Sequence, residues 1–283
     1  MNSHTKQAEI ESNNLISPDR YSVEDSTIEL PGEVHIAIRR VISACGAKDL
    51  PTLVFLHDGL GCIRMWKTFP EQLVSATGCS GLIYDRAGHG CSDPLREGFD
   101  PEYVRRSALE ELPAVLAASD VSDPLLIGHS QGGPIALLYA SRFPARAIVT
   151  EAAHIFMEQS LANDAIRRTL ELWKDGWLKH SLEMYHGEKA HDVFSLWANT
   201  GMSSWFRNWS IEKHLPNVTC PALIIQGKND IFITEEHAQT IAAGLGGPTE
   251  VVLLPECGHA PHLEFSGAVL KLMRDFIAGL IRS

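Results

Sequence analysis

The chain has 283 residues, 45% of them hydrophobic and 21% charged, enough apolar material for one large domain around a buried core. Its formal net charge of -11 at pH 7 argues against a nucleic-acid surface and against docking to anionic lipid. No run approaches the ~20 consecutive apolar residues that a membrane span needs.

In chain order, residues 1–20 are polar and lack the apolar stretch of a secretory signal, and 1–25 read as a flexible tail. Residues 27–30 and 34–41 read as an antiparallel pair turning at Pro31-Gly32. Residues 52–56 form a short apolar run, taken as the first inner strand. A helical pattern follows over 64–75, then a strand over 81–84 and a helix over 103–118. The runs 125–127 and 147–150 read as strands on either side of a helix. From about 157 to 216 the alternation stops, and this stretch holds Trp173, Trp177, Trp197, Trp205 and Trp209, five of the six tryptophans. Its helix-forming, aromatic composition predicts a helical cap over 157–216. Strands at 221–225 and 250–254, with helices at 235–243 and 266–280, complete the pattern. Alternating β and α elements imply a mostly parallel sheet wrapped by helices.

Chemistry concentrates where strands end. Gly128-His129-Ser130-Gln131-Gly132 follows a buried strand and precedes a helix. A serine becomes a useful nucleophile when a sharp turn exposes it beside a base and free backbone N–H groups, and flanking glycines permit that turn. Downstream, one strand empties into Gln226-Gly227-Lys228-Asn229-Asp230 and another into Pro255-Glu256-Cys257-Gly258-His259. The carboxyl ends of parallel strands form the ligand crevice of such sheets, so Ser130, Asp230 and His259 are expected to meet there. Asp230 would hold the His259 ring in one tautomer and stabilise its imidazolium. Glu151, ending the sixth strand, is the competing acid.

With Leu56-His57-Asp58-Gly59-Leu60-Gly61, Trp66, the string from Tyr84 to Asp93 and Gly258-His259-Ala260-Pro261-His262 in the same order, the chain resembles α/β-hydrolase-fold proteins over about residues 26–281. The resemblance implies an α/β fold with a mostly parallel eight-stranded sheet, a core over 26–156 and 217–283, and a cap inserted after strand 6. It also implies a serine hydrolase with catalytic Ser130, Asp230 and His259, and the size and aromatic content of the cap suggest a small, partly apolar ester, lactone or thioester as substrate. The oxyanion donors it implies are the N–H of Gln131 and one of Gly59 or Leu60. The chain departs from many members in having Asp58 after His57. Trp197, Trp205 and His154 are candidate substrate contacts, whereas His57 and His262 are read as structural. Asp85 and Arg86 are read as a buried pair fixing the loop that carries His89 and Ser92.

Rival readings are an aminopeptidase, amidase or carbon–carbon bond hydrolase with the same triad, a cofactor-free oxygenase or lyase, and a ligand receptor without turnover. No metal-ligand cluster or phosphate-binding glycine loop occurs, so no cofactor is expected. The expected partner is a small acyl substrate, with no nucleic acid and no membrane. A homodimer is left open. Six scattered cysteines without paired spacing point to a reducing, cytoplasmic setting.

Overall fold

Inner strands that read as unbroken apolar runs are buried on both faces, because helices cover each side of a parallel sheet. The computed structural model describes residues 20–45, 49–95 and 100–282. Its strands are β1 (Tyr21–Leu30), β2 (Val34–Ser43), β3 (Thr52–Leu56), β4 (Gly81–Tyr84), β5 (Pro124–His129), β6 (Ala147–Glu151), β7 (Ala222–Gly227) and β8 (Thr249–Leu254). They form one sheet in the order β1-β2-β4-β3-β5-β6-β7-β8. β2 runs antiparallel to β1 and β4, and every pairing from β4 to β8 is parallel.

Alternate residues of each strand feed opposite core layers, as the two-residue period requires. Val54, Leu56, Leu82, Leu126 and Ile148 pack against a helix over 103–118, here α2, and against α3 (Gly132–Ala140). Leu53, Phe55, Ile83, Leu125 and Ile127 pack on the other face against α1 (Phe69–Thr77) and, near the C-terminus, Ser266–Arg282. The middle of α2, Ser107–Glu111, is a π turn.

Two expected boundaries shift for physical reasons. β1 starts at Tyr21, within the stretch expected to be tail, and residues 1–19 lie outside the described residues. All ten β1 residues pair with β2, yet most of its side chains face solvent, so the strand carries little apolar period. The helix expected over 64–75 is broken at Lys67, whose φ of 55° ends a 3-10 turn (Ile63–Trp66) before α1 begins.

Between β6 and β7 lie α4 (Gln159–Lys174), α5 (Trp177–His186), α6 (Ala190–Met202) and two 3-10 turns, Trp205–Asn208 and Glu212–Asn217. Trp173 stacks on Phe194 at 4.0 Å, and the cluster around Leu182, Phe194 and Ala198 also packs Leu60 of the β3 loop. Arg64 Nη1 donates to Met184 O at 2.8 Å and His186 Nε2 to Leu60 O at 2.9 Å, so these helices are tied to that loop. The remaining helices are α7 (Glu235–Gly244), α8 (Pro261–Glu264) and α9 (Ser266–Arg282). All six cysteines are unpaired, and no helix among the described residues is long and apolar enough to cross a membrane.

A tight backbone crossing sits beneath the β5–α3 turn. A Cβ on Gly132 would lie 2.0 Å from Leu56 O, a backbone atom that cannot swing away. Gly132→Ala is expected to lower the free energy of unfolding by ~2–3 kcal/mol, read from the urea midpoint. Gly279→Ala, in α9 with nothing within 4 Å of the added carbon, is expected to raise it by ~0.5–1 kcal/mol. Equal midpoints for the two variants would contradict this reading.

Candidate active site

β5 ends at His129 and α3 begins at Gly132, leaving two residues to reverse the chain direction. Ser130 takes up the turn at φ 50°, a left-handed conformation that costs a non-glycine residue ~1 kcal/mol or more. The turn is pinned by Ser130 N–H donating to Glu151 O at 2.8 Å and Gly133 N–H donating to Ser130 O at 2.9 Å. Ser130 thereby reaches a cavity lined also by His259, Gly59 and Gln131.

The β7 and β8 loops bring the acid and the histidine together. His259 Nδ1–H donates to Asp230 Oδ2 at 2.8 Å, and the Asp230 side chain is wholly buried. The same carboxylate accepts Gln226 Nε2 at 3.1 Å, Phe232 N–H at 2.8 Å and Ile233 N–H at 3.2 Å. Burial alone would raise its pKa. The bond from His259 and its charge, with the Phe232 and Gln226 donors, hold it below the ordinary carboxylate value instead. The competing acid goes elsewhere: Glu151 Oε2 accepts His262 Nδ1–H at 2.8 Å, both side chains buried. A second acid–histidine pair thus lies behind the first, and the structure gives Asp230 to His259.

Three histidines brace the surrounding loops, each with its proton placed by its partners. His57 Nε2 accepts Arg86 N–H at 3.1 Å, so its proton sits on Nδ1 and is donated to Asp58 O at 2.8 Å. Burial, then the Arg86 charge, push the His57 pKa well down. His186 accepts Gly90 N–H and donates to Leu60 O, so it holds backbone rather than facing the cavity. His129 Nε2–H donates to His259 O at 2.7 Å, with Nδ1 3.6 Å from Asp58 Oδ2. Burial pulls the His129 pKa down, but Asp58 and Glu151 bring it above the usual histidine value. Burial likewise opposes ionisation of Asp58, and the adjacent His129 and His57 outweigh it, holding Asp58 well below the usual carboxylate range.

Of the two candidate oxyanion donors on the β3 loop, one is occupied. Leu60 N–H donates to Asp58 Oδ1 at 2.8 Å, so Leu60 is not the free donor. Aspartate after His57, the departure visible in the sequence, is the cause. Among the described residues no hydrogen bond uses the N–H of Gly59 or Gln131. A side chain at Gly59 would press on the cavity wall: an added Cβ would stand 2.9 Å from Trp197 Cδ1.

The cavity holds about 180 Å³ and is walled mainly by apolar side chains, among them Phe156, Ile166, Trp197, Phe206 and Phe232. Trp197 and His154 are on its wall. Trp205 is not: it borders a separate groove with Asp192 and Leu196, because the Trp205–Asn208 turn directs Phe206 inward in its place. Burial, then the nearby His237 and His259, lower His154 to about 3, leaving a neutral imidazole at neutral pH. The sequence pattern did not reveal Glu158, which lies on a motif-free loop. Its carboxylate accepts His237 Nε2 at 2.9 Å and Thr234 Oγ1 at 2.9 Å and also lines the cavity. Asp85 and Arg86 do not pair. Asp85 accepts Ile63 and Cys91 N–H, fixing the loop with Ser92, while Arg86 turns to the β3 loop.

Comparison with known proteins agrees with this architecture. A family model described as "Alpha/beta hydrolase family" matches residues 53–272. The chain is 29% identical over 205 residues to "Serine hydrolase BPHL" of Homo sapiens, covering 69% of this chain and 68% of that protein. It is also 29% identical over 153 residues to a "2-succinyl-6-hydroxy-2,4-cyclohexadiene-1-carboxylate synthase" of Salmonella agona (strain SL483), covering 53% of this chain and 58% of that protein. Among solved structures, an esterase from Exiguobacterium antarcticum aligns with a TM-score of 0.71 at 18% identity, over 90% of this chain and 100% of the other. A proline iminopeptidase of Mycobacterium smegmatis aligns at 0.69 and 19%, over 91% and 98%. These two show likeness of fold.

The depressed Asp230 pKa has a consequence for acid stability. A carboxyl whose folded pKa lies below its unfolded value contributes stability that is full above the unfolded pKa, about 4, and is lost as pH falls through the folded one. The margin of the native protein over Asp230→Asn in urea unfolding is therefore expected to be constant from pH 7 to 5 and to shrink below pH ~4. A margin that does not change down to pH 3 would contradict the assignment.

Proposed function

The chain belongs to the alpha/beta hydrolase family, and from that premise we propose that it is a serine hydrolase cleaving a small, partly apolar ester, lactone or thioester. The carrying observation is that His259 is bonded to buried Asp230 at 2.8 Å on the wall of the cavity that Ser130 reaches. Ser130 Oγ attacks the substrate carbonyl carbon, and His259 Nε2 takes its proton and passes it to the leaving group. Asp230 keeps the His259 proton on Nδ1 and stabilises the imidazolium. The carbonyl oxygen, now anionic, is met by the Gly59 and Gln131 N–H groups. Each such donor contributes ~3 kcal/mol to transition-state stabilisation. Water then repeats the sequence on the acyl-serine and releases the acid.

Charge narrows the substrate further. The described residues lining the cavity include the carboxyl groups of Asp58 and Glu158 and no lysine or arginine. An uncharged substrate is favoured, and a carboxylate-bearing one meets two anions and no cation. α4 and α6 act as a lid, with Ile166 and Trp197 turned to the substrate and His154 offering a neutral hydrogen-bonding group. A reducing, cytoplasmic setting suits the six unpaired thiols.

Multiple turnover of p-nitrophenyl acetate and labelling of Ser130 by a fluorophosphonate probe are expected for the native protein. Ser130→Ala is expected to abolish labelling and lower kcat by at least ~10³-fold. Turnover surviving in Ser130→Ala points to a base-only mechanism, and no turnover in the native protein points to a binding protein. Either result rejects the hydrolase reading.

Substrate charge gives a separate test. The kcat/KM for p-nitrophenyl butyrate is expected to exceed that for the p-nitrophenyl monoester of succinate by ~10-fold or more, with Glu158→Gln narrowing the ratio. A preference for the succinate ester would contradict the charge argument.

A further inference from the structure

Arg86 is fully buried at the end of β4, and the hydrolytic sequence above gives it no part. Its guanidinium nevertheless reaches both halves of the oxyanion site. Nη1 donates to His57 O at 2.9 Å, and Nη2 donates to Asp58 O at 2.8 Å and to Gln131 Oε1 at 2.9 Å. Its own N–H fixes the His57 tautomer, and that ring donates to the same Asp58 oxygen at 2.8 Å. Gly61 N–H supplies a third donor to Asp58 O at 3.2 Å.

Asp58 O and Gly59 N belong to one peptide unit. A trans peptide is planar, with its C=O and N–H pointing in opposite directions. Three donors gripping Asp58 O from inside the protein therefore aim the Gly59 N–H the other way, and Gly59 lines the cavity beside Ser130. If that peptide turned over, a carbonyl oxygen would face the developing oxyanion instead of a donor. The remaining Arg86 contact holds the side chain of Gln131, whose backbone N–H is the second donor.

We propose that Arg86 is the positioning residue of the oxyanion hole, fixing the Asp58–Gly59 peptide and the Gln131 side chain as one unit. The inference rests on the serine-hydrolase reading and extends it to a residue that never touches substrate. Arginine suits the task because its planar fork donates to several fixed acceptors at once, which the single ammonium of lysine does not. Its charge adds to the effect. Among the described residues no carboxylate lies within ion-pair distance of Arg86, and its charge acts on the nearby Glu111 carboxyl. Burial also raises the nearby Glu111 carboxyl to about 7, against the pull of Ala87 N–H and of Arg86 itself.

The experiment compares the full-length native protein with Arg86→Lys, Arg86→Gln and Gln131→Leu. The last keeps both backbone donors and removes only the side-chain acceptor. Each is assayed for kcat and KM with p-nitrophenyl acetate. Inhibition is measured with butylboronic acid, which forms a tetrahedral adduct on an active serine, and with acetanilide, a planar ground-state mimic. For the Arg86 variants, kcat is expected to fall by ~10²–10³-fold and the boronate inhibition constant to rise in parallel, while acetanilide inhibition changes by less than ~3-fold. Gln131→Leu is expected to show the same split at ~3–10-fold, and it decides the matter if the Arg86 variants do not fold. A merely structural Arg86 would lower thermal stability without separating the two inhibitors. Parallel loss of both inhibitors, or unchanged kcat in a folded variant, overturns the proposal. If the native protein labels with fluorophosphonate while the variants behave as native, the positioning role falls alone. If the native protein neither labels nor binds the boronate, both readings fall.

Discussion

Ser130 stands in a left-handed turn at φ 50° between a strand and a helix that cross within the reach of one carbon atom. The crossing is a steric fact about three backbone segments: a Cβ on Gly128 would lie 2.3 Å from Gly132 O, and one on Gly132 would lie 2.0 Å from Leu56 O. Because α3 leaves the turn pressed against the end of β3, the loop after Leu56 has to pass beside the serine. The proximity of Gly59 and Ser130 is thus a consequence of backbone packing. The parallel arrangement of β7 and β8 brings the Asp230 and His259 loops to the same sheet edge.

Around that turn, buried carboxylates are distributed so that four histidines each lie against one of them. Asp230 takes His259, Glu151 takes His262, Glu158 takes His237 and Asp58 lies against His129. The pairs are adjacent, with the His129 ring 5.2 Å from that of His259 and 5.0 Å from that of His262. In a low-dielectric interior an unpaired carboxylate or imidazolium is costly, so pairing holds each ring in one orientation. Arg86 is the exception, a cation held by the carbonyl oxygens of His57 and Asp58 and the amide oxygen of Gln131.

Much of this was legible in the sequence. Apolar strand runs leading to Ser130 and Asp230 located the site edge, because burial on both faces leaves a plain hydrophobic signature, and the run before His259 is apolar although β8 is a partly exposed edge strand. Other features left no such mark. The outer half of β1 is held by backbone pairing and by the Asp25–Arg39 ion pair, with mostly exposed side chains that leave no apolar period. Trp205 and Phe206 are both aromatic neighbours on one short turn, and composition does not tell which faces inward. Leu60 was excluded as a donor by one side-chain bond from Asp58, and the role of Arg86 depends on the orientation of a peptide plane. Such choices depend on three-dimensional contacts between segments far apart in the chain.

The central claim is that Ser130 forms a covalent acyl intermediate during turnover. Rapid acid quenching of a p-nitrophenyl acetate reaction, followed by peptide mass spectrometry, tests it most directly. The account predicts one acetyl group per chain on the peptide containing Ser130. Nitrophenol release with Ser130 unmodified throughout, or acetylation at a different residue, would contradict it.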